Sequence, residues 1–413
     1  MRQTDATLHR FDNAAKATGP MAGVRVIDLT SNVLGPLATQ TLGDMGADVI
    51  KVEAPDGDAM RDNGPGRNPG MSAFFLNMNR NKRSLAIDLK GPGAREVLAK
   101  LFETADVVVH SMRPAAAKTL GIDYESVQAC NPRAICAYAP GYCTDGPFAN
   151  RPAFDDVIQG ESGLVDLMHR ATGEVAFLPT VLADKLCGVM LASALSMALY
   201  AREKTGVGQE VQVPMLESML AFNLVEHLWT GAFGADEGRF GYVRALSRHR
   251  KPYSTTDGHV CVMAVNNDQW NKLFAALGRP ELSKDERYCD MVARSRNIDS
   301  LYELIAEEIS RHSTAKWRER FDRFDVPSGK VQRLDDLPSD DYLAETGFFV
   351  DYEHPSEGTV KTTAIPPRFS GTPPSLRRHA PRLGEHTEEV LGELGLDPRL
   401  LDELLGRASA ATR

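Results

Sequence analysis

No CxxC pair, HExxH helix, Walker loop, GxGxxG turn or GxSxG elbow occurs in this chain. Each absence closes a chemistry. The six cysteines (Cys130, Cys136, Cys143, Cys187, Cys261 and Cys289) have no paired spacing, which excludes a disulfide framework and a cysteine zinc site. They read as the reduced thiols of a cytoplasmic protein. Without the zincin and Walker patterns no metal centre or P-loop is expected. Positive charge is not in excess either. The formal net charge is -9, which disfavours a nucleic-acid partner or an anionic membrane surface. No apolar stretch reaches the roughly 20 uninterrupted residues of a membrane span, because Asp184 and Lys185 interrupt the run Leu182–Tyr200. Residues 1–20 are polar, with Asp5 and Asp12, and lack the apolar centre of a secretory signal. A soluble, cytoplasmic protein with no membrane or nucleic-acid partner is the expectation.

What is present is ordinary in bulk and informative in order. With 42% hydrophobic and 25% charged residues over 413 positions, the chain can bury the cores of two or more domains. Gly23–Leu29 reads as a buried strand, Leu37–Met45 as a helix and Gly46–Glu53 as a second strand. Strands at Ser84–Leu89, Asp106–His110 and Ala134–Tyr138 follow, with a helix at Gly93–Glu103. This βαβ alternation predicts an α/β fold with a doubly wound, Rossmann-like parallel sheet. Helices are expected at about 182–202 and 215–230. Composition changes at Gly231–Thr256, which is rich in Gly and Arg, and a second, smaller α/β unit is expected to end near Val326-Pro327. The Pro-rich run Pro366–Pro374 cannot be a central strand and reads as a strap over a surface, a partner subunit's being one candidate.

The turn after the first strand, Thr30-Ser-Asn-Val-Leu-Gly-Pro36, holds one glycine, so an NAD site is not expected. βα loops can still cradle phosphates. Four basic clusters stand out: Asn79–Arg83, His110–Arg113 with Lys118, Arg244–Lys251, and Arg377, Arg378 and Arg382. Each is either a solvated face or a phosphate or carboxylate contact. Asp184 opens the apolar stretch that ends at Tyr200. It reads as a helix cap whose charge the helix dipole favours, or as a nucleophile beside a pocket.

These residues carry a resemblance. Gly46-Ala-Asp-Val-Ile-Lys-Val-Glu53, Asn81-Lys-Arg-Ser84 with Asp88-Leu-Lys90, Arg113-Pro114, Gly146-Pro147, Phe154-Asp155, Lys204–Gln209 and Gly384-Glu-His-Thr387 resemble landmarks of the class III CoA-transferases, in the family's order from about Gly23 to Leu396. The resemblance implies coenzyme A or acyl-CoA as substrate, a carboxylic acid as co-substrate, and Asp184 as the nucleophile that forms a mixed anhydride and an aspartyl-CoA thioester. The apolar side chains of Leu182, Leu186 and Val189 would shield these intermediates, and backbone N–H groups at the helix start would stabilise the oxyanion. CoA contacts are implied for Lys90, Ser111, Met112, Arg113, Gly141 and Tyr142. Val33, Ala54 and Pro140 depart from polar or basic CoA contacts of formyl-CoA transferase, whose glycine-rich flap is also missing here.

Racemases of the same family place a histidine where this chain has Phe154, which exchanges no proton. A 2-methylacyl-CoA racemase and a non-catalytic CoA-binding protein are the alternatives. Arg244, Arg248 and His249 are candidates for holding the far carboxylate of a dicarboxylic substrate such as succinate. The family plan implies an interlocked homodimer. It also implies a large domain made of residues 21–230 and a returning C-terminal segment, 331–413, with a small domain and linkers at 231–330 and a polar extension at 1–20.

Overall fold

The computed structural model describes residues 8, 9, 11, 16–234 and 238–411. Asp5, Asp12 and most of the expected polar extension 1–20 lie outside the described residues. Two compact units are found. One comprises 1–162, 179–220 and 342–413; the other comprises 163–178 and 221–341.

The first unit is built on six parallel strands: β1 (Arg25–Leu29), β2 (Asp48–Glu53), β3 (Lys82–Ala86), β4 (Val107–His110), β5 (Ile135–Tyr138) and β6 (Glu210–Gln212). Their spatial order is β3-β2-β1-β4-β5-β6, with Val26 of β1 in register with Val49 on one side and Val107 on the other. The central strands are buried on both faces, which explains their unbroken Val and Ile runs. The order reverses between β1 and β4, the place where open α/β sheets leave a crevice at their carboxyl ends. α1 (Leu34–Asp44) follows β1 and packs on the long helix Leu182–Thr205. A Cβ on Gly188 of that helix would lie 2.8 Å from the Leu34 carbonyl oxygen, so glycine permits the contact.

By length and composition alone the 24-residue helix Leu182–Thr205 is apolar enough to cross a bilayer, contrary to the reading of the run as too interrupted. Here one of its faces is buried against α1, and Arg202 near its end pairs with Asp106 at 2.7 Å.

The first basic cluster is buried, and two of the three strap arginines, Arg377 and Arg378, are half-buried, while Arg382 is exposed. In the first, Arg80 pairs with Asp44 at 2.7 Å and Lys82 with Asp28 at 3.0 Å. Arg83 reaches Asp48, Glu389 and Glu393. The strand starts at Lys82, two residues before the expected Ser84, where acids distant in sequence neutralise its charges. In the strap, Asn81 adopts a left-handed backbone (φ 61°), and its Oδ1 accepts the N–H groups of Arg377 and Arg378. Arg377 also donates to the carbonyls of Gly43 and Ala47. The segment after the Pro-rich run thus lies along this chain's own sheet. An antiparallel hairpin, Phe349–His354 with Gly358–Thr363, precedes it and was not expected from the sequence.

The second unit has three short antiparallel strands, Tyr253–Ser254, His259–Val262 and Ser328–Lys330. The helices Asn267–Leu277, Ile298–Ile309 and Thr314–Arg323 enclose its core around Trp270, Phe274, Leu301, Ile305, Trp317 and Phe321.

Candidate active site

The crevice starts from the turn after β1. Lys51, fully buried on β2, donates to the Thr30 carbonyl at 2.9 Å and to Asp58 Oδ2 at 2.8 Å. Asp58 Oδ1 in turn accepts the N–H of Asn32, whose φ is 66°. The turn 30–32 is therefore fixed by an ion pair beneath it. A Cβ on Gly35 would lie 2.3 Å from Thr30 Cβ, so only glycine lets α1 begin this close to the turn. Asp28 accepts from the hydroxyls of Thr30 and Thr39 and from Lys82. Burial alone would raise its pKa, but Lys82, Lys51 and the two hydroxyls hold the carboxyl well below its usual range.

The ends of β4 and β5 form the opposite wall. Ser31 N–H donates to Ser111 Oγ at 3.2 Å, joining the two loops across the switch point. His110 stacks on Tyr138 with centroids 5.0 Å apart, and its Nδ1 accepts the Met112 N–H. Burial pushes its pKa down to about 4, so the ring is neutral at pH 7. Gly141 faces Ala153 so closely that a Cβ would lie 2.5 Å from the alanine's own. Tyr142 is buried beneath Phe148, and the Arg151 guanidinium lies over both rings while pairing with Glu161 at 3.0 Å.

Asp184 lies in the first turn of the Leu182–Thr205 helix but does not cap it. The N-cap position is Val181, which has no side chain able to cap. Asp155 does that work from another helix: its Oδ1 accepts the Asp184 N–H at 3.0 Å. Its Oδ2 accepts from Gln159 Nε2 at 2.6 Å, and that amide also donates to the Thr180 carbonyl. The pull of the helix start on the Asp184 anion is outweighed by its surroundings. Burial, and then the Asp155 charge, push its carboxyl up to about 7. Nor are the first-turn N–H groups of Leu182, Asp184 and Lys185 free for an oxyanion, since Thr180, Asp155 and Val181 already accept them.

One cleft of about 310 Å³ brings together Asp184, Ser111, Met112, Arg113 and Gly141 with Thr30, Asn32, His110, Arg151 and Phe154. Its apolar wall is Leu34, Leu191 and Met215, not Leu182, Leu186 and Val189; Val189 is on the exposed face of the helix. Tyr142 is buried behind Gly141. Lys90 lies in a different recess, with Arg95, Gly91 and Gly93. Arg244 belongs to the second unit, bonded to the Tyr302 hydroxyl and the Ala264 carbonyl. Arg248 is exposed, and His249 pairs with Glu303 at 3.2 Å. His110, singled out in the sequence with Arg113, does line the cleft, whereas sequence reasoning missed Arg151 as a lining residue and Asp155 as the cap. The Asp155–Gln159 spacing of four, which lets the two side chains meet on one helix, was the available signal. Among the described residues no group of three or more His, Cys, Asp or Glu is placed to hold a metal.

Residues 21–387 match the family described as CoA-transferase family III. The chain is 30% identical over 390 residues to the succinyl-CoA:glutarate CoA-transferase of Homo sapiens, covering 94% of this chain and 89% of that protein. It is 31% identical over 388 residues to the succinate–glutarate CoA-transferase of Agrobacterium fabrum, covering 91% and 96%. The crystal structure of a CaiB/BaiF family protein from Brucella suis is similar with a TM-score of 0.75 and 31% identity, covering 91% of this chain and all of that one.

Proposed function

This chain belongs to CoA-transferase family III, and on that premise we propose that it moves CoA from an acyl-CoA, of the dicarboxylyl type such as succinyl-CoA, to a carboxylic acid through Asp184. The observation that carries this reading is a lone, half-buried carboxyl in the cleft at the sheet's switch point, with the arginines Arg113 and Arg151 on the same cleft. Family membership makes a CoA thioester the substrate class. The names of the two relatives above support a dicarboxylate preference.

The Asp184 carboxylate attacks the thioester carbon, and the C–S bond breaks to give CoA thiolate and an aspartyl mixed anhydride. The thiolate then attacks the aspartyl carbonyl, releasing the donor acid and leaving an aspartyl-CoA thioester. The acceptor carboxylate attacks that thioester, and the displaced thiolate takes the acceptor's acyl group, returning Asp184 to its free form. An anion raised in energy by burial and by Asp155 gains when its charge passes to the thiolate and the departing acid. Leu34, Leu191 and Met215 keep the anhydride from water.

Ser111, Met112, Arg113 and Gly141 are assigned to CoA along the cleft, and Lys90 to a CoA phosphate outside it. The homodimer belongs to the same proposal. Val189, Met197 and Tyr200 leave one face of the long helix apolar and exposed, as a subunit contact requires. Phe154 at the cleft offers no proton to a racemase. Enzyme mixed with succinyl-CoA and treated with hydroxylamine should carry the hydroxamate mass on the peptide containing Asp184. An unlabelled peptide together with full transfer by Asp184→Ala would refute the assignment.

A further inference from the structure

The second unit contains two arginines, Arg244 and Arg294, that form no salt bridge with any acid among the described residues. Arg294 is only 3% exposed; its Nη1 donates to the Tyr288 carbonyl at 2.8 Å and its Nη2 to the Asn267 side-chain oxygen. Arg244 donates through Nε to the Tyr302 hydroxyl and through Nη2 to the Ala264 carbonyl, both at 2.7 Å, and to the Met263 sulfur. All of these acceptors are neutral, and neither arginine enters an ion pair among the described residues. Both guanidinium groups lie against the same indole, 5.4 Å and 5.8 Å from the centre of Trp270. Burial and the Arg244 charge hold Arg294 below its usual range, against the pull of Asp290. A buried arginine and a half-buried one on the same ring are an unfavourable arrangement that an anion between them would relieve.

The space between them is a recess of about 510 Å³, within the range of small-molecule sites. Beside the arginines, Trp229, Tyr242, Leu228, Val265, Met291 and Ile298 line it. Glu226 also lines it, with its carboxylate 3.4 Å from His227 Nε2. Every lining residue belongs to the second unit. A cationic end and aromatic walls select a ligand with an anionic head and an apolar body.

We propose that this recess binds an organic carboxylate with a hydrocarbon or aryl body, its carboxylate held by Arg244 and Arg294 and its body against Trp229 and Trp270. Planar guanidinium groups take a carboxylate through paired N–H bonds, and the aromatic walls cover the rest. The site stands independently of the role given to Asp184, so an Asp184→Asn enzyme should bind the same acid.

Calorimetric titration of the full-length protein with phenylacetate, with acetate and with inorganic phosphate tests this. Phenylacetate should bind saturably, and acetate and phosphate at least tenfold more weakly, because they lack the apolar body. Arg294→Gln should weaken phenylacetate binding at least tenfold. Ser295→Trp, which fills the recess and keeps both arginines, should do the same and serves if the first variant does not fold. No saturable binding by the unmodified protein, unchanged affinity in a folded variant, or phosphate binding as tightly as phenylacetate would each overturn the proposal.

Discussion

Asp155 accepts the backbone N–H of Asp184 at 3.0 Å, so one carboxylate caps the helix whose first turn presents another to the cleft. Burial first, and then the charge that stabilises the helix end, raise the neighbouring acid to about 7. The proposed attack on a thioester by Asp184 needs its anion, so kcat/KM should rise with pH through about 7 and level above it. Asp155→Asn keeps an acceptor oxygen for the N–H and removes the charge. Its pH profile should move to lower pH by about one unit. An unmoved acid limb would show that Asp155 acts on helix geometry alone. His110, Arg113, Arg151, Lys185 and Cys187 remain in place in that comparison.

Asp184→Asn should abolish transfer and also stabilise the protein. A carboxyl whose pKa is raised in the folded state makes folding less favourable as pH climbs from its unfolded value through about 7. The full effect would be about 4 kcal/mol, present at pH 8 and nearly absent at pH 4. Thermal melts of the variant against the unmodified enzyme should therefore separate at pH 8 and converge in acid. Equal melting temperatures at both pH values would contradict the raised pKa.

Gly188→Ala would set a methyl 2.8 Å from the Leu34 carbonyl, and neither backbone can yield freely. The helix must move away from α1, at about 1–3 kcal/mol for an overpacked contact. Leu34 and Gly35 line the cleft, so KM for the acyl-CoA should rise as well. Chemical denaturation and steady-state kinetics would read the two effects separately.

Lys51→Met removes one partner of a fully buried pair and leaves Asp58 unneutralised. A loss of about 3–5 kcal/mol is expected. The turn 30–32 would also lose its support, so activity should fall beyond what stability explains. The double variant Lys51→Met/Asp58→Leu should recover part of the stability, since neither member of this pair then leaves the other buried and unpaired. It should not recover activity, because Asn32 N–H loses its acceptor.

The large unit was legible because its strands are buried on both faces and so read as runs of Val and Ile between glycine turns. Asp184 was legible from its isolation in an apolar stretch and from a family landmark. Its protonation was not legible, because Asp155 lies 29 residues away and burial has no one-dimensional signature. For the same reason Asn79–Arg83 resembled a phosphate site: the acids that neutralise it lie at positions 28, 44, 48, 389 and 393. The 349–363 hairpin was missed because its burial is shallow and its alternation weak.

The bond of Asn81 to Arg377 and Arg378 has a consequence for synthesis. The ribosome makes β3 some 300 residues before the segment that lies along it, and the whole second unit is translated in between. Until residues 377–393 leave the exit tunnel, Arg83 has Asp48 but lacks Glu389 and Glu393, and the Asn81 side-chain oxygen has no peptide groups to hold. The nascent large unit must therefore wait, incomplete, for residues 377–393. A stop codon shortly before residue 375 would release chains that expose this strand edge to aggregation.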